Sequence, residues 1–232
     1  MTTITWDRQD RLNAWDLDTM TSIADRIEAA SADEDERIIV LRGAGGDFSA
    51  GDDLRAARAS TKETWAQTIA AFQRLTRVVL ASPLPVVCAI DGVCVGGALE
   101  FAASCDVRLF TPRSRFLTPE VRIGFVMSNA GSLFLPHVLG ESAARELLLT
   151  GSEHSAAWMA AHSFGQRVDD LEAAIAGWEA EIAQTSRSAV AATKQLLNQR
   201  WGPLLAEAMD REERLCVELF DSPDAQRALR EF

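Results

Sequence analysis

Asp91-Gly92-Val93-Cys94-Val95-Gly96-Gly97-Ala98-Leu99-Glu100 decides how this chain folds. It follows Pro85-Val86-Val87-Cys88-Ala89-Ile90, an apolar, β-branched run of the buried-strand type that stops at Asp91-Gly92. Gly97 to Ser104 then has the spacing of a short helix. Glycine lets a backbone approach a ligand closely, and the N–H groups of a first helical turn have no intrahelical partner. The helix dipole adds positive potential at that end. The Gly97 N–H is therefore a candidate to hold a developing oxyanion, with Glu100 one turn on as a candidate base. The same motif also reads as a plain glycine-rich turn with a glutamate favoured by the dipole.

Strand and helix signals alternate on either side of this stretch, which predicts an α/β fold. Upstream, Leu17, Met20, Ile23, Ala24 and Ile27 fall at helical spacing between Asp16, a suitable N-cap, and Ala30. Ile38-Ile39-Val40-Leu41 predicts a strand ended by Gly43-Ala44-Gly45-Gly46, and Thr61 to Leu80 a helix closed by Ser82-Pro83. Downstream, Val107 to Phe110 and Arg115 to Leu117 predict short strands about a turn at Pro112. From about Ala130 the pattern is nearly all helical, with amphipathic stretches at Leu171 to Gln184, Ser188 to Gln199 and Leu204 to Phe220.

A second donor loop lies upstream, Asp47-Phe48-Ser49-Ala50-Gly51-Asp52-Asp53-Leu54. Phe48 and Leu54 suit anchors in the core, and the small residues between them let the Ala50 N–H reach a ligand. Asp52 and Asp53 also read as caps of a following helix. Glu120 follows Pro119, twenty residues after Glu100. A glutamate there is commonly a surface residue at a helix start. Two loops that each aim an N–H at one oxygen, with two carboxylates, are the parts needed to form an enolate and to move a proton or a water.

The 232 residues suit one large domain, or a core with an appendage. Hydrophobic residues make up 47% and charged residues 25%, as in ordinary globular proteins. A net charge of −11 argues against nucleic acid or an anionic membrane as partner, while local arginines still suit a small anion. Cys88, Cys94, Cys105 and Cys216 form no CxxC pair, and the three histidines lack metal-ligand spacing, so no metal is expected. Neither a signal peptide at Met1 to Asp7 nor a membrane-length apolar run is present, which predicts a cytoplasmic protein. The absence of GxxxxGK[ST] sets aside a phosphate-binding NTPase.

In this order the motifs resemble the crotonase superfamily, the enoyl-CoA hydratase/isomerase group. Arg11-Leu12-Asn13-Ala14 resembles its early loop, and Ile38 to Gly43 with Phe48 to Leu54 its first oxyanion strand and loop. Asp91 to Glu100 with Cys105-Asp106 resembles the second, and Pro119-Glu120 with Ile123-Gly124 the segment of the second glutamate. Ala192-Thr193-Lys194-Gln195-Leu196-Leu197 resembles its C-terminal helical motif, so the likeness runs from near Ile4 almost to Phe232.

The resemblance implies a spiral of ββα units over residues 1–175 and a helical trimerisation region over 176–232. It implies a coenzyme A thioester substrate, no separate cofactor, and a homotrimer or dimer of trimers. By position, Ala50 and Gly97 carry the oxyanion hole, and Glu100 and Glu120 take the places of the hydratase pair. Arg11, Leu12, Ala50, Gly51, Asp52, Asp53, Arg55 and Gly97 are expected to line the coenzyme A thioester. Arg58 also flanks these loops, and Arg11, Arg55 or Arg58 suits the coenzyme A phosphates.

Both glutamates favour hydration of a 2-enoyl-CoA. Double-bond isomerisation, C–C hydrolysis and a non-catalytic scaffold of the same fold remain alternatives. The family's Pro-Gly-Ala-Gly-Gly-like stretch is replaced by Met127-Ser128-Asn129-Ala130-Gly131. There Asn129 reads either as a partner for a polar acyl group or as a helix N-cap. Trp15 and Phe125 read as core packing or as pocket walls. Both ends are short against the family pattern.

Overall fold

The computed structural model describes residues 1–231. β1 (Thr2–Trp6) is followed by α1 (Leu17–Ala32) and β2 (Ile39–Gly43). Asp16 starts α1 by accepting the Thr19 N–H at 2.9 Å, and Met20, Ile23, Ala24, Ile27 and Ala30 form its buried stripe. After β2 come the single turn α2 (Leu54–Ala57) and the long α3 (Lys62–Ala81). Thr61 caps α3, which ends just before Pro83. Then follow β3 (Val86–Ile90), β4 (Val93–Val95), α4 (Gly97–Ser104), β5 (Val107–Phe110) and β6 (Arg115–Leu117).

β1, β2, β3, β5 and a late strand, β8 (Gln166–Arg167), form one all-parallel sheet in the order β1-β2-β3-β5-β8. A second sheet pairs β4 with β6 in parallel and β6 with β7 (His154–Ser155) antiparallel. Isolated bridges continue it: Ser49 lies beside Cys94, and Trp15 beside Asp52. Each turn of the chain thus lays one strand in the first sheet and one extended piece in the second, the spiral that the sequence resemblance implies. Because Ser49 exchanges hydrogen bonds with Val93 and Val95, Gly51 and Asp52 come level with Gly96 and Gly97.

Beyond a 3₁₀ turn at Pro119–Arg122 the chain forms α5 (Gly131–Leu139), α6 (Glu141–Thr150), α7 (Ala156–Ala161), α8 (Leu171–Ala183), α9 (Arg187–Asn198), α10 (Gly202–Leu219) and α11 (Pro223–Glu231). The stretch expected to be nearly all helical therefore also holds β7 and β8. Each is two residues long, too short to leave an alternating pattern. Residue 175 falls inside α8, whose Leu171 and Ile175 pack against Ile38, Val40, Val87, Ala89 and Leu109 of the sheet. The buried Lys194 pins α9 to the core through the Leu84 carbonyl (2.8 Å) and Asp106 (2.6 Å). Met209 of α10 is fully buried in the main core, while Leu196, Leu197, Leu204 and Leu215 stay exposed. All four cysteines are buried thiols. No described helix is long and apolar enough to cross a membrane.

Candidate active site

β4 runs into Gly96, whose φ of +57° turns the chain into α4. The Leu99 and Glu100 N–H groups bond back to the Gly96 carbonyl at 2.8 and 3.1 Å. The Gly97 N–H has no protein acceptor among the described residues. A side chain on Gly96 is excluded, because its Cβ would stand 2.7 Å from Oε1 of Glu120. The second carboxylate thus lies directly against the turn that presents the donor.

The neighbouring loop corrects one expectation. The Ala50 N–H is not free to hold an oxyanion, because it donates to the Leu12 carbonyl at 2.9 Å. Two residues on, the Trp15 N–H bonds the Gly51 carbonyl (2.7 Å) and the Asp53 N–H bonds the Trp15 carbonyl (3.0 Å). A parallel bridge of this kind points the intervening N–H to the other side. The Asp52 N–H has no protein acceptor among the described residues, and it sits beside Gly97: a Cβ built on Gly51 would lie 3.6 Å from the Gly97 nitrogen. Asp52 and Gly97 are the pair of unspent donors. Asn13 braces this arrangement by donating to the Ala44 and Asp47 carbonyls at 2.8 and 2.7 Å.

Glu100 is fully buried. Its Oε2 accepts the Ser128 and Asn129 N–H groups at 3.1 and 2.8 Å, while Oε1 has no protein partner. Burial, then the charges of Glu120 and Glu212, push its carboxyl well above the usual range. Burial raises Glu120 to about 7. Among the described residues neither glutamate has a salt-bridge partner. Desolvation without a compensating cation favours the neutral acid. Two raised carboxyls side by side that share protons are an acid–base pair tuned by its surroundings.

Glu120, Asp52 and Gly97 line a cavity of about 70 Å³. Its far wall is apolar, formed by Trp65, Ile69, Phe125 and Cys216, with Trp65 packed at a tilt against Phe125 and Phe220 at ring separations of 5.0 and 5.7 Å. Phe125 is thus a pocket wall. Trp15 is fully buried and belongs to the core. A second, outward hollow of about 310 Å³ shares Ala50, Asp52 and Leu54 with the first and adds Arg11, Leu12, Asp53 and Arg55. Of the residues expected at coenzyme A, Arg11, Leu12, Ala50, Asp52, Asp53 and Arg55 line this hollow and Gly97 the inner cavity, while Gly51 and Arg58 line neither. Within the hollow Asp53 is already engaged, accepting Arg8 at 2.8 Å and capping α2 through the Ala56 N–H.

The whole chain, residues 1–232, matches the model of the enoyl-CoA hydratase/isomerase family. The chain belongs to that family. A probable enoyl-CoA hydratase of Mycobacterium leprae is 29% identical over 99% of this chain and 90% of its own length. Another from Mycobacterium bovis is 34% identical over 84% of this chain and 78% of its own. The crystal structure of an enoyl-CoA hydratase from Mycobacterium avium subsp. paratuberculosis superposes with a TM-score of 0.89 at 27% identity, covering 98% of this chain and 93% of that one. An enoyl-CoA hydratase structure from Bacillus halodurans reaches 0.91 at 22% identity, a likeness of fold.

Within this family fold, three features lie beyond the sequence reading. Asp52 lines the inner cavity, its carboxyl raised to about 7 by burial and by the Asp53 charge. Asn129 caps nothing, since Ala130 occupies the N-cap of α5. Its N–H holds Glu100, and both polar atoms of its buried side chain lack protein partners. Glu212 of α10 accepts the Ala130 and Ser132 N–H groups at 2.6 and 2.9 Å. Only a buried-type position on the amphipathic stripe of α10 marked Glu212 in the sequence.

Proposed function

We propose that this family member is an enoyl-CoA hydratase, adding water across the double bond of a 2-enoyl-CoA thioester. The observation that supports it most is the convergence of two carboxyls, the fully buried Glu100 and the half-buried Glu120, beside the unspent N–H groups of Asp52 and Gly97. In this reading the thioester oxygen accepts both N–H bonds. In the form of the pair that carries one proton, on Glu120, the ionised Glu100, its Oε2 fixed and its Oε1 free, takes a proton from water as the oxygen attacks the β-carbon. Negative charge moves onto the thioester oxygen, giving an enolate held by the two donors. Glu120, carrying a proton near neutral pH, delivers it to the α-carbon. Water is consumed and the protein protons rebalance through the carboxyl pair, so the scheme calls on no cofactor or metal, coenzyme A being part of the substrate.

The outward hollow takes the coenzyme A arm, with Arg11 and Arg55 toward its phosphates. The aromatic wall at Trp65 and Phe125 favours a short acyl group. The exposed leucines of α9 and α10 favour burial between copies, as a homotrimer or dimer of trimers, in the cytoplasm. The test is a panel of 2-enoyl-CoA thioesters read by mass spectrometry. A gain of one water is expected. A moved double bond without mass change would make the enzyme an isomerase instead.

A further inference from the structure

The turn from Ser128 to Ser132 is strung between two buried carboxylates. On one side Glu100 takes the Ser128 and Asn129 N–H groups. On the other Glu212, only 4% exposed, takes Ala130 through Oε2 and Ser132 through Oε1. Ala130 is held in the left-handed region, with φ of +59°, a conformation a non-glycine residue keeps only under constraint. A Cβ on Gly131 would stand 2.7 Å from Oε2 of Glu100, so the turn presses directly on that side chain. Gln73 of α3 fastens the same place, donating to the Ser128 carbonyl (3.3 Å) and to the Met209 carbonyl one turn before Glu212 (3.0 Å).

We propose that Glu212 is a positioning residue for Glu100: it clamps the N-terminal turn of α5 from behind and so fixes the two N–H groups that aim the Glu100 carboxylate. The proposal rests on Glu100 being the water-activating base. It joins the C-terminal helical region to the chemistry through one side chain of α10. A carboxylate suits this job because it accepts two N–H bonds at once at the positive end of a helix. It also places a like charge near the pair. The titratable group it acts on is Glu100 of α4, which Glu120 also faces, with Cys216 one turn along α10, and no cation pairs with any of them among the described residues. Burial raises the Glu212 carboxyl itself, and the Ser132, Ala130 and Gly131 hydrogen bonds oppose that rise.

The experiment compares Glu212→Gln and Glu212→Asp with the wild type in two readouts. The first is an infrared titration of the carboxyl bands without substrate, Glu100→Gln serving to assign the Glu100 band. The second is the pH profile of kcat and KM for hydration of a short 2-enoyl-CoA. With the like charge gone in Glu212→Gln, the Glu100 band is expected to titrate roughly one pH unit lower. The expected fall in kcat is about ten- to a hundredfold with KM little changed, and Glu212→Asp should recover part of it. A folded Glu212→Gln whose Glu100 band titrates as in the wild type overturns the proposal, even if kcat falls. Should Glu212→Gln fail to fold, Glu212→Asp, which keeps the charge but shortens its reach to the Ala130 and Ser132 N–H groups, carries the kinetic readout, and an unchanged kcat then overturns the proposal. Absence of hydration in the wild type would defeat the hydratase reading and leave the infrared result to decide on Glu212.

Discussion

The loops at Asp47–Leu54 and Asp91–Glu100 lie side by side, yet they are held in opposite ways. The later loop is braced from within. Its strand, its glycines and its helix are consecutive, and the Leu99 and Glu100 N–H groups close on the Gly96 carbonyl. The earlier loop is braced from outside, by the carbonyls of Leu12 and Trp15 and the amide of Asn13. Leu12 and Asn13 pay for this with φ values of +49° and +57°. The later loop carries Glu100 and touches Glu120. The earlier one opens onto the hollow with Arg11 and Arg55. Chemistry should therefore depend on the later loop, and substrate holding and pH response on the earlier.

The largest effects should come from the two carboxyls at the later loop. Glu100→Gln and Glu120→Gln should each lower kcat by roughly 10²–10⁴, the usual worth of a positioned acid or base. The double variant should be little worse than either single one, because the two act on one water. Steady-state kinetics with a short 2-enoyl-CoA checks this, and additive losses would break the pairing. Each variant should also gain stability at pH 8. A carboxyl whose pKa is raised on folding binds its proton more tightly in the native state, so its contribution to stability falls as pH rises from the unfolded value toward about 7. Glutamine has no such loss, and Tm should rise by about 2–4 °C for each kcal/mol recovered.

Gly96→Ala attacks the same loop through its backbone. At φ of +57° a methyl is strained, and it would stand 2.7 Å from Glu120. Displacing the donor turn should cost about 10²–10³ in kcat. Affinity for free coenzyme A, measured by titration calorimetry, should change far less. Equal losses in both would show that the two loops do not divide the work.

The later loop was legible in the sequence because its signals are local. A β-branched run, two glycines and a glutamate one turn on specify strand, turn and helix without distant contacts. The same holds for α1, where Asp16 and the leucine and isoleucine spacing set both start and face. The earlier loop was legible only in part. Which of its N–H groups is free, Ala50 or Asp52, depends on the register against Trp15, a pairing that composition and spacing do not encode. Glu212 was hidden for the same reason, since its partners Ala130 and Ser132 lie about eighty residues upstream. Asn129 read either as a cap or as a partner for a polar acyl group, because the left-handed Ala130 that takes the cap position leaves no mark in the sequence.

Asp52 tests the earlier loop's share in pH response. Asp52 lines the inner cavity, and its carboxyl is raised to about 7, by burial first, then by Asp53, with smaller contributions from Asp16 and Glu120. Below that pH it is neutral. Above it, a negative charge sits beside the oxygen where the enolate develops. Asp52→Asn keeps the backbone N–H and removes the charge. Activity at pH 6 should be nearly unchanged, while the fall in kcat between pH 7 and 8 should become several-fold shallower. A profile identical to the wild type would assign the whole alkaline limb to Glu120 and leave Asp52 without a chemical part.

The smallest effects should come from the rim of the outward hollow. Arg11 is half-buried there, with Nη1 shielded from solvent and lacking a protein partner, and Nε only 3.3 Å from the exposed Asp10. Arg55 is exposed on the same rim and has no salt bridge among the described residues. A guanidinium in this position suits an anionic phosphate, which the net charge of −11 would otherwise repel. Exposed ion pairs are worth about 0–1 kcal/mol each, so Arg55→Ala should weaken coenzyme A binding only about two- to fivefold. Arg11→Ala should do more, because its guanidinium is shielded and its hydrogen-bond capacity unspent. Both losses should shrink as salt is raised from low to physiological ionic strength. Titration of free coenzyme A at two salt concentrations reads both effects without any catalysis. If neither variant weakens binding at low salt, the phosphates lie elsewhere, and the earlier loop holds the substrate by its backbone alone.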